Sequence, residues 1–217
     1  MRKPKITVRE GRHSGSINTS SRTKRTREYL TGDEMDKLLT AAKTASRNPA
    51  RDYCALLLMF RHGLRVSELC AIKLSDIDVK HKTFHVNRLK DCDSGPHELY
   101  NGESQAVKAW LVERAKMDPP AGVDTLFISE RRKPLSRVTV WHMIGLVAKA
   151  AGLEHLSIHP HMLRHTTGYS LVNKGTDIRI IQGYLGHRAI SSTGQVHDAG
   201  FQAVREAVLK GPQYVRK

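Results

Sequence analysis

The stretch from Ala50 to His62 constrains the fold most. It carries Leu56, Leu57, Met59 and Phe60 within one helix length and is stopped by Gly63, a residue that readily ends a helix in the left-handed conformation. A helix this apolar needs a core to enter. At 217 residues and 39% hydrophobic content the chain can supply one. Wholesale disorder is therefore excluded, and one domain with an appended arm or small second unit is expected.

Around that helix the chain punctuates itself clearly. Order is expected to begin at Leu30. Thr31 with Glu34 three residues on is a capping-box pattern, and Met35, Leu38 and Leu39 then supply a helical apolar stripe. Ser67 to Leu74 predicts another helix. Residues 83–90, from Thr83 to Lys90, alternate like a strand. The turn formers of Asp91 to Pro96 follow, and His97 to Tyr100 returns, predicting a hairpin. Further helices are predicted over 103–116, 136–151, 161–173, 177–184 and 199–210, with Lys116 to Pro120 a loop and no internal repeat. The fold class is α+β, mainly α-helical, with one small antiparallel β-sheet.

The formal net charge is +15, which points to a polyanionic partner, because neutralising phosphates releases counterions. The charge is concentrated at the start. Residues 1–27 hold nine basic side chains (Arg2, Lys3, Lys5, Arg9, Arg12, Arg22, Lys24, Arg25 and Arg27) against Glu10 alone. With Gly, Ser and Thr in the middle, the segment reads as a flexible basic arm touching phosphate, ahead of a domain over 28–217. Cys54 and Cys70 sit among apolar residues and read as small core residues in a reducing compartment. The three cysteines, Cys92 included, have no metal-like spacing, so neither metal nor cofactor is expected. No segment has the apolar length of a membrane span and the N-terminus lacks a signal-peptide apolar stretch, so the expected location is cytoplasmic.

Five side chains stand out by order and local pattern. Arg65 follows Gly63-Leu64 and precedes Val66-Ser67-Glu68-Leu69, at the start of a helix, where phosphate binds well. Lys90 lies on the hairpin rim. His161 and Arg164 are three apart on one helix face in His159-Pro160-His161-Met162-Leu163-Arg164-His165. His187 closes Tyr184-Leu185-Gly186-His187. Any one of them alone reads as an ordinary ion pair or core histidine. Together they form an inventory for phosphodiester chemistry. Two guanidiniums can grip the oxygens of one phosphate, a lysine can protonate a leaving alkoxide, and histidines can relay protons or donate hydrogen bonds.

On these residues the chain resembles the tyrosine recombinases, the phage integrase family. Gly63 to Leu69 is similar to the family's first arginine motif, His161 to His165 to its second, and Leu185-Gly186-His187 to its third. The short fimbrial phase-variation recombinases are the nearest resemblance. Arg88-Leu89-Lys90, His159 to His165 and Ile178 to Arg188 look like theirs, and since those recombinases lack a separate N-terminal core-binding domain, none is expected here. The resemblance implies a tyrosine-recombinase catalytic-domain fold. It gives Arg65 and Arg164 the scissile phosphate, Lys90 the role of general acid, His161 proton transfer and His187 the transition state, with Glu68 ordering the site. Double-stranded DNA is the implied partner, met by Arg2, Lys3, Lys5, Arg22, Lys24, Arg25, Arg27, Arg65, Lys90, Arg164 and Arg188.

One departure bears on function. In the family the nucleophilic tyrosine lies nine residues after the third-motif histidine, and counting from His187 reaches Val196. Valine has no nucleophilic atom, so no covalent protein–DNA intermediate can form there. Tyr184 reads as core and His197 as a poor substitute. Tyr214, 18 residues beyond Val196, could attack in trans. Three readings follow. The chain is a DNA-binding protein that does not cleave and acts as a transcriptional or recombination regulator, or an active site-specific recombinase using Tyr214, or a subunit that joins copies of itself or an active recombinase. In the last reading it docks through Phe201, Val204 and Val208 of its C-terminal helix.

Overall fold

A computed structural model describes residues 27–88 and 94–186. The first helix opens at the expected capping box. Glu34 N–H donates to Thr31 Oγ1 at 3.4 Å and Thr31 N–H donates to Glu34 Oε2 at 2.7 Å, a closed capping box that starts α1 (Gly32–Ala42). Just before it, Leu30 N–H donates to Thr166 Oγ1 at 2.9 Å. The entering chain is thereby tied to a helix much later in the sequence. Arg27, the last residue assigned to the basic arm, pairs with Glu34 at 2.5 Å and stands over the Tyr29 ring.

Helix α2 (Pro49–His62) is the centre. Pro49 sets its first turn, and ten of its side chains are buried, Cys54 and Leu56 through Phe60 among them. Helices α1, α4 (Asn101–Lys116) and α6 (Pro160–Asn173) all pack on it. Trp110 of α4 is fully buried, its Nε1 donating to the Leu126 carbonyl at 2.9 Å, which satisfies the indole's one polar atom. Helix α3 (Val66–Ala71) follows α2 after a short turn, and α5 (Arg137–Ala150) packs on α1, α3 and α6. Helix α7 (Ile178–Leu185) rests on α6 through a second, smaller apolar cluster of Leu171, Ile181, Tyr184 and Leu185. Tyr184 is core, as its sequence context suggests.

The sheet is antiparallel, in the order β1 (Ile77–Asp78), β2 (Thr83–Val86), β3 (Gly95–Glu98). The hairpin differs from expectation at both edges. The ladder of β2 stops at Val86 rather than running to Lys90. The returning strand begins at Gly95, so Gly95 and Pro96, expected in the turn, pair with Val86 and His85. Proline is tolerated there because β3 is an edge strand and Pro96 need not donate on its open side. The two-residue strand β1 was not foreseen, being too short to show any alternation. Helix α3 is also shorter than the predicted Ser67 to Leu74, since Ile72 turns extended. The helix expected over 199–210 lies outside the described residues.

Gly63 makes the fold's tightest demand on the backbone. It caps α2 at φ +57°, and a Cβ there would run into Cδ2 of Leu185. Gly145, by contrast, lies inside α5 with nothing near it. Thermal denaturation should separate them in sign. Gly63→Ala is expected to destabilise by about 1–3 kcal/mol through backbone strain, lowering Tm by several degrees. Gly145→Ala should raise stability by about 0.5–1 kcal/mol by removing a helix-interior glycine.

Candidate functional site

The site grows from α3. Arg65 is its N-cap residue, and Glu68 at the third helical position reaches back so that its Oε2 accepts the Arg65 backbone N–H at 2.8 Å. Its Oε1 accepts Arg65 Nη1 at 2.6 Å. Glu68 is buried in a place where only paired charge survives. Two further arginines supply the pairing. Arg88, just past the end of β2, donates Nη1 to Glu68 Oε2 at 2.9 Å, and Arg164 of α6 brings its Nη1 within 4.0 Å of the same oxygen. Burial alone would raise the Glu68 pKa. The Arg65 N–H and the charges of Arg88 and Arg65 outweigh it and hold the carboxyl below its ordinary range.

Each guanidinium also caps a helix end. Arg164 Nη1 donates to the Gly63 carbonyl at 2.6 Å and its Nη2 to the Leu185 carbonyl. Arg65 Nη2 donates to the Gly186 carbonyl at 3.2 Å. Gly186 ends α7 in the left-handed conformation, at φ +65°. The C-terminal ends of α2 and α7 therefore point their carbonyls at the cluster, where the helix dipole favours cations. Three guanidiniums face one carboxylate in this cluster, a surplus of positive charge suited to an anion. Arg65 keeps 28% of its side chain exposed, whereas Arg164 keeps 6% and Arg88 1%. Arg65 thus offers the reachable edge.

Beneath the cluster lies a buried polar floor whose two histidines are held neutral. His62 Nδ1 and His97 Nδ1 approach to 3.1 Å, and the Tyr184 hydroxyl donates to the Arg61 carbonyl at 2.9 Å. Burial first, then Arg88 and Arg61, pushes His62 down to about 3, and burial likewise lowers His97. Glu103, with its carboxylate 3.7 Å from His62 Nε2, is pushed up to about 7 by burial.

The expected residues are thus divided. Arg65 and Arg164 come together on Glu68, from segments about a hundred residues apart. His161 stands exposed on the first turn of α6, its ring 6.5 Å from that of His165. Lys90, His187, Arg188, Val196 and Tyr214 lie outside the described residues, as do Arg2, Lys3, Lys5, Arg22, Lys24 and Arg25. Two contributors went unassigned in the sequence. His159 caps α6, its Nδ1 accepting from Met162 N–H at 3.2 Å, so its Nε2 carries the proton toward Glu28 at 3.5 Å. Arg88, in Arg88-Leu89-Lys90, is the second. Its signal was available: it stands in phase with Phe84 and Val86, both buried. Among the described residues no group of three or more His, Cys, Asp or Glu side chains could hold a metal ion, and no helix is long and apolar enough to cross a membrane.

Residues 28–199 match the phage integrase family. The type 1 fimbriae regulatory protein FimB of Escherichia coli (strain K12) is 47% identical over 167 residues, covering 77% of this chain and 82% of FimB. FimE of the same strain is 41% identical over 170 residues, covering 77% and 83%. Among solved structures, XerA recombinase is similar with a TM-score of 0.66 and 31% identity, over 86% of this chain and 66% of that one.

The carboxylate at the hub makes the site part of the fold's stability. Glu68→Gln should destabilise the protein by about 3–5 kcal/mol at neutral pH, because it leaves buried guanidiniums unpaired. Because the folded-state pKa is depressed, the stabilisation is fully present above the ordinary carboxyl value of 4.5 and is lost as pH falls through the folded one. Urea denaturation of wild type and variant should therefore show a gap that is constant above that value and closes in acid.

Proposed function

The chain belongs to the phage integrase family and has the tyrosine-recombinase fold, and on that premise we propose that it binds double-stranded DNA without cleaving it, as a transcriptional or recombination regulator in the cytoplasm. The observation that carries this reading is the arginine cluster on Glu68. A surplus of buried positive charge, open at Arg65, is matched to one phosphodiester oxygen pair. In this reading Arg65 and Arg164 take the phosphate, and Lys90, His161 and His187 occupy the general-acid, proton-transfer and transition-state positions that the family resemblance gives them. Val196 stands at the nucleophile position counted from His187. Holding a phosphate and breaking its ester are separable tasks, since backbone contacts supply most of the affinity. The basic arm over 1–27 and Arg188 add phosphate contacts beside the domain over 28–217. FimB and FimE, both named regulatory proteins, support a regulatory role.

A second reading is favoured by the name of XerA, a recombinase. In that reading Tyr214 supplies the nucleophile, in cis or to a neighbouring copy. In a third, the chain is a partner subunit, and the stripe of Phe201, Val204 and Val208 docks its C-terminal helix on another copy or on an active recombinase.

Binding-site selection from random duplexes, paired with a nicked suicide substrate on a denaturing gel, tests the first two. The first reading expects retarded duplexes whose affinity falls by about a thousandfold or more between 50 and 200 mM salt, and no covalent band. A covalent band that vanishes in Tyr214→Phe while retardation persists would establish the second. Failure to retard any duplex at low salt would reject both.

A further inference from the structure

A third arginine is more than a two-guanidinium phosphate grip requires, and Arg88 is placed where no ligand reaches it, its side chain 1% exposed. Its terminal nitrogens nevertheless serve four acceptors. Nη1 donates to Glu68 Oε2 at 2.9 Å and to the Gly63 carbonyl at 3.4 Å. Nη2 donates to the carbonyls of His62 at 2.9 Å and Tyr184 at 2.7 Å. Its backbone N–H donates to Ser94 Oγ at 2.9 Å, across the neck of the hairpin. One residue thus joins the end of α2, the end of α7, the carboxylate on α3 and both strands of the hairpin.

We infer that Arg88 is a positioning residue, which orients Glu68 and through it the Arg65 guanidinium that takes phosphate, without touching DNA itself. The inference rests on the phosphate reading of Arg65 given above. Glu68 Oε2 is occupied by Arg88 and by the Arg65 N–H, which fixes the plane of the carboxylate. Oε1 is then left aimed at Arg65 Nη1, 2.6 Å away. Without Arg88 the carboxylate keeps, among the described residues, only contacts to Arg65 itself and the distant Arg164, so its plane can turn and carry Arg65 with it. A lysine in place of Arg88 would keep the charge but could not span four acceptors, because only the planar fork reaches in several fixed directions.

Fluorescence anisotropy on a mixed-sequence duplex over a range of salt tests this, with thermal melts establishing that each variant is folded at the assay temperature. Each phosphate contact contributes about 0.9 to the slope of log affinity against log salt. Arg65→Ala, Arg88→Met and Arg88→Lys should each lower the slope by about one contact. The double variant Arg65→Ala with Arg88→Met should lower it no further than either alone. A role confined to packing would lower Tm and leave the slope unmoved. Wild-type slope in both Arg88 variants would overturn the inference. So would a loss in Arg88→Met that Arg88→Lys restores, which would make charge rather than position the cause, and so would a double variant that loses two contacts, which would put Arg88 on a phosphate of its own. If Arg88→Met does not fold, Arg88→Lys decides by the same criteria. Wild-type slope in Arg65→Ala would instead overturn the phosphate reading, and the inference falls with it.

Discussion

Glu68 is the point on which the site depends. A carboxylate buried this deeply carries a large desolvation cost, which only matched positive charge offsets. Arg65, Arg88 and Arg164 provide it, and they come from α3, the end of β2 and α6. This pairing holds three separate segments together. Because each partner removed would strand charge in a low-dielectric interior, the arrangement tolerates little piecemeal change.

The same arginines solve a second problem. Helices α2 and α7 both stop at glycines in the left-handed conformation, and both would leave carbonyls without donors inside the protein. Guanidiniums from neighbouring elements donate to the carbonyls of His62, Gly63, Tyr184, Leu185 and Gly186. Helix ends and arginines therefore need each other, and the place where they meet is the place suited to an anion. One set of groups therefore serves both helix ends and the buried carboxylate, which couples any change in one to the other.

Local features were legible wherever a short stretch of chain sufficed. The Thr31–Glu34 capping box, the stop at Gly63 and the helical spacing of His161 and Arg164 all depend on neighbours within a few residues. The hairpin was legible in kind but not in extent, because a strand's length depends on where its partner's backbone runs. The alternation of Phe84, Val86 and Arg88 continues past Val86, while the ladder does not. The motif position of Glu68 suggests that it orders the site, but the sequence does not name its partners, since Arg88 and Arg164 reach it across 20 and 96 positions.

The sequence by itself determined the class of fold, the order of the described helices and the motifs that carry Arg65, Glu68 and Arg164. Those follow from periodicity, capping and charge, which act over one or two turns. Only the tertiary structure decided which arginine faces outward and which is buried beneath it. That choice depends on the packing of α2, α6 and α7 around one carboxylate. Desolvation belongs to a place in the fold and not to a residue type, so a string of letters carries no value for it.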